Sequence, residues 1–489
     1  MKTELKQKEQ KMMCAKELKL NNVSNKKLKS QTVSKISGIT LIALVVTIVV
    51  LLILAGITIS LVFSENGIIA KAKEAAEKTN QAAINEQEQI NEVAGYLDNM
   101  LNEIGGSEEE PTPPKPTLPS DGSYSEEKGV NTPKLGSGMT PIKWNGSSWV
   151  NTTGSDKDWY DYTGKKWANA KTSDGSMWVW IPRYAYSITS GYHSSTAGTI
   201  EVEFMKGTSN EGATGKNIVS YETAKANAET THKFVDGNYV IHPAFNYGDE
   251  VSGIWVAKFE ASNSSGKIKV EPGVQSWRDI TVNDIYTNCL NYDSNTLGNA
   301  NLNSHMMKND EWGAVAYLSK SKFGKNGEVD KNGNSSYYTG GGSGNAYVTN
   351  VGQSTTGTVH GVYDMSGGAY EYVAAYVNNG NDNLTSYGDS LVKGDAKTKN
   401  VYSPGSLDSY ENNYNQNKGV YGDAVYETST SGNGSTSWYG NYSYFPHANG
   451  PFIERGGYYY DGKDAGLFSF GINGNSSSYY SFRPVLVAL

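Results

Sequence analysis

Arg455-Gly456-Gly457-Tyr458-Tyr459-Tyr460-Asp461-Gly462 opens the most informative stretch of the chain, and Asn473-Gly474-Asn475-Ser476-Ser477-Ser478-Tyr479-Tyr480-Ser481-Phe482-Arg483-Pro484-Val485-Leu486 closes it. The two ends have the chemistry of framework. Gly456 and Gly457 can adopt backbone conformations closed to other residues. Arg455 and Arg483 carry forked donors for carboxylates or carbonyls, with Glu371 and Glu454 as candidate partners. Phe482, Val485 and Leu486 suit a last β-strand. The interior differs: Tyr supplies rigid amphipathic contact area, while Ser, Gly and Asn supply adaptable hydrogen bonds. Tyr458, Tyr459, Tyr460, Asp461, Gly462, Asn473, Gly474, Asn475, Ser477, Ser478, Tyr479 and Tyr480 are therefore the candidate ligand contacts. No acid–base pair and no paired thiols lie among them, so the stretch reads as recognition surface, not reactive centre. The plainer alternative is a set of ordinary surface loops on a fixed binder.

Outward from this stretch, residues from about 123 onward show short apolar or aromatic runs broken by Gly, Asn and Ser. Met177–Ile181, Ile254–Phe259 and Tyr370–Val373 are predicted strands. Asp310–Leu318 is the best predicted helix, with Asn309 as N-cap and Trp312, Val315 and Ala316 on one face. No fixed-period repeat argues for a solenoid or propeller. The pattern predicts an α+β domain with few helices and many long loops.

Several motifs occur in order: Glu311-Trp312, then Asp364-Met365-Ser366-Gly367-Gly368-Ala369-Tyr370-Glu371, then Arg455-Gly456-Gly457, then Phe482-Arg483-Pro484. This succession resembles the formylglycine-generating-enzyme-like branch of the C-type lectin fold over roughly residues 175–489. Gly368 stands where that family usually has Asn, and Tyr370 and Tyr372 where Trp is frequent. Trp312, Glu371, Arg455, Gly456, Gly457, Arg483 and Pro484 would be framework. The oxidase members of the family bind copper through a cysteine pair near the C-terminal end. Here the head holds only Cys289, and copper(I) needs soft thiolate ligands, so no catalytic residue is assigned. The head's histidines, His193, His232, His242, His305, His360 and His447, show no metal-ligand spacing. Asp and Asn could build a structural calcium site, but no EF-hand-like spacing marks one, and no cofactor or metal is expected.

The closing stretch also resembles the variable proteins of diversity-generating retroelements, a non-catalytic group on the same fold. In that group the variable segment starts at RGG, includes a strand similar to Ala465–Ser469, and ends at FRP. The resemblance implies that 455–484 is rewritten by a reverse transcriptase erring at adenines, which turns Asn codons into Tyr, Asp, Ser, Gly or His.

The N-terminal part sets the location. Met1–Gly38 holds ten Lys and three Glu, +7, so the rest of a chain of net charge −8 carries −15. A body this acidic is a poor nucleic-acid binder, because phosphate affinity comes from clustered Lys and Arg. Ile39–Phe63 is uncharged; as a helix it would extend roughly 37 Å, enough to cross a bilayer. The positive-inside rule leaves the N-terminus cytoplasmic and exports the rest to the cell surface. Lys35-Ile36-Ser37-Gly38-Ile39-Thr40-Leu41-Ile42 resembles the class III leader of type IV prepilins, which implies cleavage between Gly38 and Ile39 and methylation by a prepilin peptidase. Ala43 replaces the Glu usual at the fifth mature position, so anchoring has better support than polymerisation with other pilins. A plain signal anchor is the simpler alternative.

The expected organisation is therefore a basic leader (1–38), a pilin-like transmembrane helix with amphipathic extension (39–104), a Pro/Glu-rich linker (105–122) and a C-type-lectin-like ligand-binding domain (123–489). Five prolines between Pro111 and Pro119 favour an extended spacer. The expected function is a membrane-anchored adhesin or receptor for an extracellular protein or glycan. The alternatives are a minor pilin with a fixed head and an exported enzyme.

Overall fold

The computed structural model describes residues 120–226, 233–298, 302–405 and 409–488. The chain divides into two units, 1–114 and 115–489, and every described residue belongs to the second. The leader junction at Gly38 and Ile39, the apolar run, its extension to residue 104 and most of the linker lie outside the described residues.

The largest sheet has seven antiparallel strands in the order Leu302–Met306, Pro484–Ala488, Gly253–Ala257, Met177–Pro182, Asn169–Lys171, Thr140–Trp144 and Trp149–Asn151. Its central strands read MWVWIP and GIWVA and are buried at every position. Burial on both faces explains why they are almost continuously apolar instead of alternating. Trp180 and Trp255 face each other in register with ring centroids 5.2 Å apart, the cross-strand contact that stabilises such a pair.

The second large sheet is built around Tyr370–Val377. One edge of that strand pairs in parallel with Tyr480–Phe482 at its start and with Asn400–Tyr402 at its end. The other edge pairs antiparallel with Phe452–Gly456, which pairs in turn with Gly466–Asn473. A four-stranded sheet and two short ribbons complete the strands among the described residues.

The predicted helix is Asn309–Lys320, buried from Asn309 to Ser319. Its N-cap is Lys308, not Asn309. The Glu311 carboxylate accepts the Lys308 backbone N–H at 2.8 Å, which frees the Asn309 side chain to donate to the Tyr402 hydroxyl at 2.7 Å.

Two expectations need correction. The class is not α+β: the described residues are dominated by β-sheet, and their helices are short, that of twelve residues at Asn309–Lys320 included. Among the described residues no helix is long and apolar enough to cross a membrane. Short Gly- and Asn-punctuated runs rich in Trp, Tyr and Val fit a pleated sheet better than a long helix. Phe482 also does not share a strand with Val485 and Leu486. It ends Tyr480–Phe482 in one sheet, Arg483 follows, and Pro484–Ala488 enters the other sheet.

Candidate functional site: a tyrosine surface on two anchored loops

Each anchor arginine is fully buried. Arg483 Nε donates to Glu371 Oε2 at 2.7 Å, Nη1 donates to Ala257 O at 2.8 Å, and Nη2 donates to Tyr363 O at 3.0 Å. Arg455 takes no carboxylate side chain. Its Nη1 donates to Asn309 Oδ1 at 3.1 Å and to Asp423 O at 3.2 Å, and its Nη2 donates to Ala424 O at 3.2 Å. The guanidinium lies over the Trp312 ring at 5.6 Å, and the Trp312 indole donates to Leu467 O at 2.9 Å. Burial lowers Arg455 to about 10, with Asp423 opposing the drop, so it stays cationic at neutral pH.

Of the two expected carboxylate partners, only Glu371 serves. Glu454 pairs in register with Tyr372, one residue out of phase with Arg455, so its side chain leaves the opposite face of the sheet. Burial holds its carboxyl well above the usual carboxylate range, against a hydrogen bond from Tyr480.

Gly456 and Gly457 take φ of 83° and 69°, the left-handed region that favours glycine. A Cβ on Gly457 would lie 2.6 Å from Ala465. These two residues turn the chain out of the sheet and into the first loop, where Tyr459 N donates to Gly368 O at 2.9 Å and Tyr458 N to Asp461 Oδ2 at 3.0 Å. The second loop is tied as firmly. Tyr370 N donates to Tyr479 O at 2.9 Å, Asp279 N to Ser477 O at 3.2 Å, and the Tyr372 hydroxyl to Asn475 O.

The two loops meet through their rings. Tyr458 stands 5.3 Å from Tyr459, 6.4 Å from Tyr460 and 5.4 Å from Tyr479. Beneath them, Tyr370 stacks between Tyr458 at 5.1 Å and Tyr480 at 5.2 Å, and Tyr372 lies 5.0 Å from Tyr480. Tyr460 is 77% exposed and Tyr479 47%, so the outermost rings of the cluster reach solvent while the inner ones are held.

The twelve candidate contacts therefore divide by exposure. Tyr460, Gly462, Asn475, Ser478 and Tyr479 are exposed; Tyr458, Tyr459, Asp461, Asn473, Ser477 and Tyr480 are half-buried. Gly474 is buried, and a Cβ there would meet Asn449 O at 2.2 Å, so it shapes the turn and offers no contact. Asp461 points back into its own loop. Burial raises its carboxyl while a hydrogen bond from Tyr370 lowers it.

The ring cluster extends beyond the segment read from sequence, to a buried tyrosine. Tyr337 packs edge-on to Tyr459 at 5.0 Å, and the Arg278 guanidinium covers the Tyr337 ring at 4.0 Å. Arg278 Nη1 also donates to Ser478 O. Tyr337 follows Asn334-Ser335-Ser336, the same Asn, Ser and Tyr texture as the closing loops, and that was a readable signal. Nothing in the sequence near Arg278 marks it.

The remaining expected chemistry is dispersed. Cys289 is free and buried, which pushes its thiol up. His305 Nε2 contacts Glu311 Oε1 at 2.8 Å in the core, His193 stacks on Tyr426 at 4.1 Å, and His447 stacks on Tyr410 at 3.8 Å. His232 lies outside the described residues. Among the described residues no group of three or more His, Cys, Asp or Glu could hold a metal ion. No family model and no curated protein matches this chain.

Proposed function

We propose that the chain is a membrane-anchored, surface-exposed ligand-binding protein, an adhesin or receptor, and that Tyr458–Gly462 and Asn473–Tyr480 form its recognition surface. The observation that carries this reading is the convergence of the two loops into one tyrosine cluster, its outer rings exposed and its backbone tied to a buried framework. Such a surface suits recognition: several Tyr rings can form a hot spot without ordering long flexible side chains. The loop side chains can also change at little cost to the fold, because exposed substitutions usually alter stability by less than about 0.5 kcal/mol. That tolerance supports the further reading that the segment 455–484 is diversified by a retroelement.

The deciding experiment is to sequence the surrounding DNA and many clonal isolates. A reverse transcriptase gene, a near-copy of the codons for 455–484 differing at adenines, and isolates that vary at the loop positions but keep Arg455, Gly456, Gly457 and Arg483 are expected. Invariant loops with no near-copy would remove diversification and leave a fixed binder. Mass spectrometry of the exported protein tests anchoring separately: cleavage and methylation at Ile39 are expected of the prepilin route, and an intact leader counts against a filament subunit.

A further inference from the structure

The chain has four arginines, Arg183, Arg278, Arg455 and Arg483. Three are fully buried and serve the fold: Arg183 holds Glu250, Arg455 holds backbone carbonyls, and Arg483 holds Glu371. Arg278 alone is half-buried, and it stands where the two tyrosine loops meet. Its Nη1 donates to Ser478 O in the second loop. Its guanidinium lies 4.0 Å from the centre of the Tyr337 ring, which packs at 5.0 Å against Tyr459 of the first loop.

These contacts leave part of the fork unused. Arg278 Nε is buried and closed to a ligand. Nη2 has no hydrogen-bond partner and remains accessible. Among the described residues Arg278 forms no ion pair. The carboxylate within the first loop is turned elsewhere, since Asp461 accepts from Tyr458 N and from the Tyr370 hydroxyl. Asp279 is exposed beside Arg278, and its backbone N–H holds Ser477 O at 3.2 Å.

An unpaired guanidinium next to exposed tyrosines has the composition of a protein-binding hot spot, where Tyr and Arg are enriched. The ring against its face and the bond to Ser478 O hold it in place, so little freedom is lost when a ligand arrives. Its remaining donors suit a carboxylate, the partner that makes the stronger, charge-assisted hydrogen bond.

We propose that Arg278 is a fixed specificity residue of the tyrosine surface, and that the ligand is a protein whose contacting segment presents an Asp or Glu carboxylate to Nη2 beside Tyr460 and Tyr479. The inference rests on the tyrosine surface being the binding face. Arg278 lies outside 455–484, so under the diversification proposed above it stays constant while the loops change. Every version of the surface would then keep the same demand for a carboxylate.

The test is selection of random peptides from a phage library on the purified full-length chain, followed by titration of the selected peptides, synthesised with amidated ends. Only peptides whose binding is lost in Tyr460→Ala/Tyr479→Ala are scored. These are expected to share an Asp or Glu, and its replacement by Asn or Gln is expected to weaken binding about tenfold, the loss of roughly one hydrogen bond between charged groups. Arg278→Gln is expected to weaken the original peptide by the same factor and to make the peptide's own substitution neutral. The peptide-side change leaves the protein untouched, so it reads the contact even if Arg278→Gln loosens the second loop. Tyrosine-dependent peptides that lack a carboxylate, or that bind Arg278→Gln as tightly as the wild type, overturn the inference and leave the surface standing. Selection of no tyrosine-dependent peptide counts against the surface and the inference together. Glucuronic acid is titrated in parallel, and its tyrosine-dependent binding in the absence of any such peptide overturns the choice of a protein ligand.

Discussion

Arg483 grips Glu371 where the chain passes from one sheet into the other, with Nε 2.7 Å from Oε2 and both side chains buried. The same guanidinium reaches Ala257 O in the seven-stranded sheet and Tyr363 O in the segment before Tyr370. One side chain thus fastens two sheets and the root of the second tyrosine loop.

Arg483→Met is expected to destabilise the protein by about 3–5 kcal/mol, because it leaves the Glu371 carboxyl buried without its cation. Urea unfolding followed by tryptophan fluorescence measures this. Arg483→Lys is expected to recover only part of the loss, since an ammonium cannot reproduce a fork that serves three acceptors. Full recovery by Lys would show that charge alone matters.

Gly457→Ala is expected to cost more than Gly456→Ala. Both positions have positive φ, with a strain of about 1 kcal/mol for alanine. The added methyl at Gly457 also strikes Ala465 at 2.6 Å, whereas at Gly456 its nearest neighbours are 3.3 Å away. Equal losses by thermal unfolding would remove the steric part of this argument.

Stability is expected to fall as pH rises from about 4 to 8. Burial raises Asp423 to about 6 and Glu427 to about 8. A carboxyl raised in the folded state favours folding while protonated, so its contribution is complete below the unfolded pKa and is lost as pH climbs through the folded one. Glu427 is surrounded by donors, with the Tyr186 and Tyr317 hydroxyls at 2.7 and 2.8 Å. Those bonds favour the anion, but desolvation outweighs them. Melting temperatures across this range should decline, and Glu427→Gln should flatten the upper part of the curve. A wild-type profile that rises with pH would contradict the assignment.

Tyr460→Ala/Tyr479→Ala is expected to change stability by less than about 0.5 kcal/mol per site. Tyr370→Ala, under the same cluster, is expected to cost about 3 kcal/mol or more. If the tyrosine surface binds, the exposed pair should lower affinity by about 2 kcal/mol or more for whatever ligand is found. Unfolding curves and surface-display titrations read the two effects separately.

The parts of this fold legible in the sequence are those whose signal is local. The runs around Trp178, Trp255 and Tyr372 read as strands and are strands. The run from Asp310 reads as a helix and is one. The glycines after Arg455 needed only their own backbone geometry to be understood. What could not be read depends on distant partners. Glu371 lies 112 residues from Arg483, and Ala257 lies 226 residues away. Arg455 met backbone carbonyls at Asp423 and Ala424, and a carbonyl has no signature in sequence. Asn309 looks like an N-cap by residue type, yet its amide was claimed by Tyr402 and Arg455, and Glu311 made the cap possible one residue earlier. Gly474 has the composition of a contact loop but is enclosed by Asn449. The α+β assignment failed for a related reason, since the helices among the described residues remained short connectors between sheets.

The strand Pro484–Ala488 comes after the second tyrosine loop, the short strand Tyr480–Phe482 and Arg483, and lies inside the seven-stranded sheet, flanked on both sides. Translation must therefore pass through every loop codon, in frame, before that sheet can close. A stop or frameshift among those codons removes an interior strand and with it the Arg483 clamp, so the product cannot mature. If the loops are diversified as proposed, folding would act as a reading-frame filter on them, passing exposed side-chain changes and rejecting changes of frame.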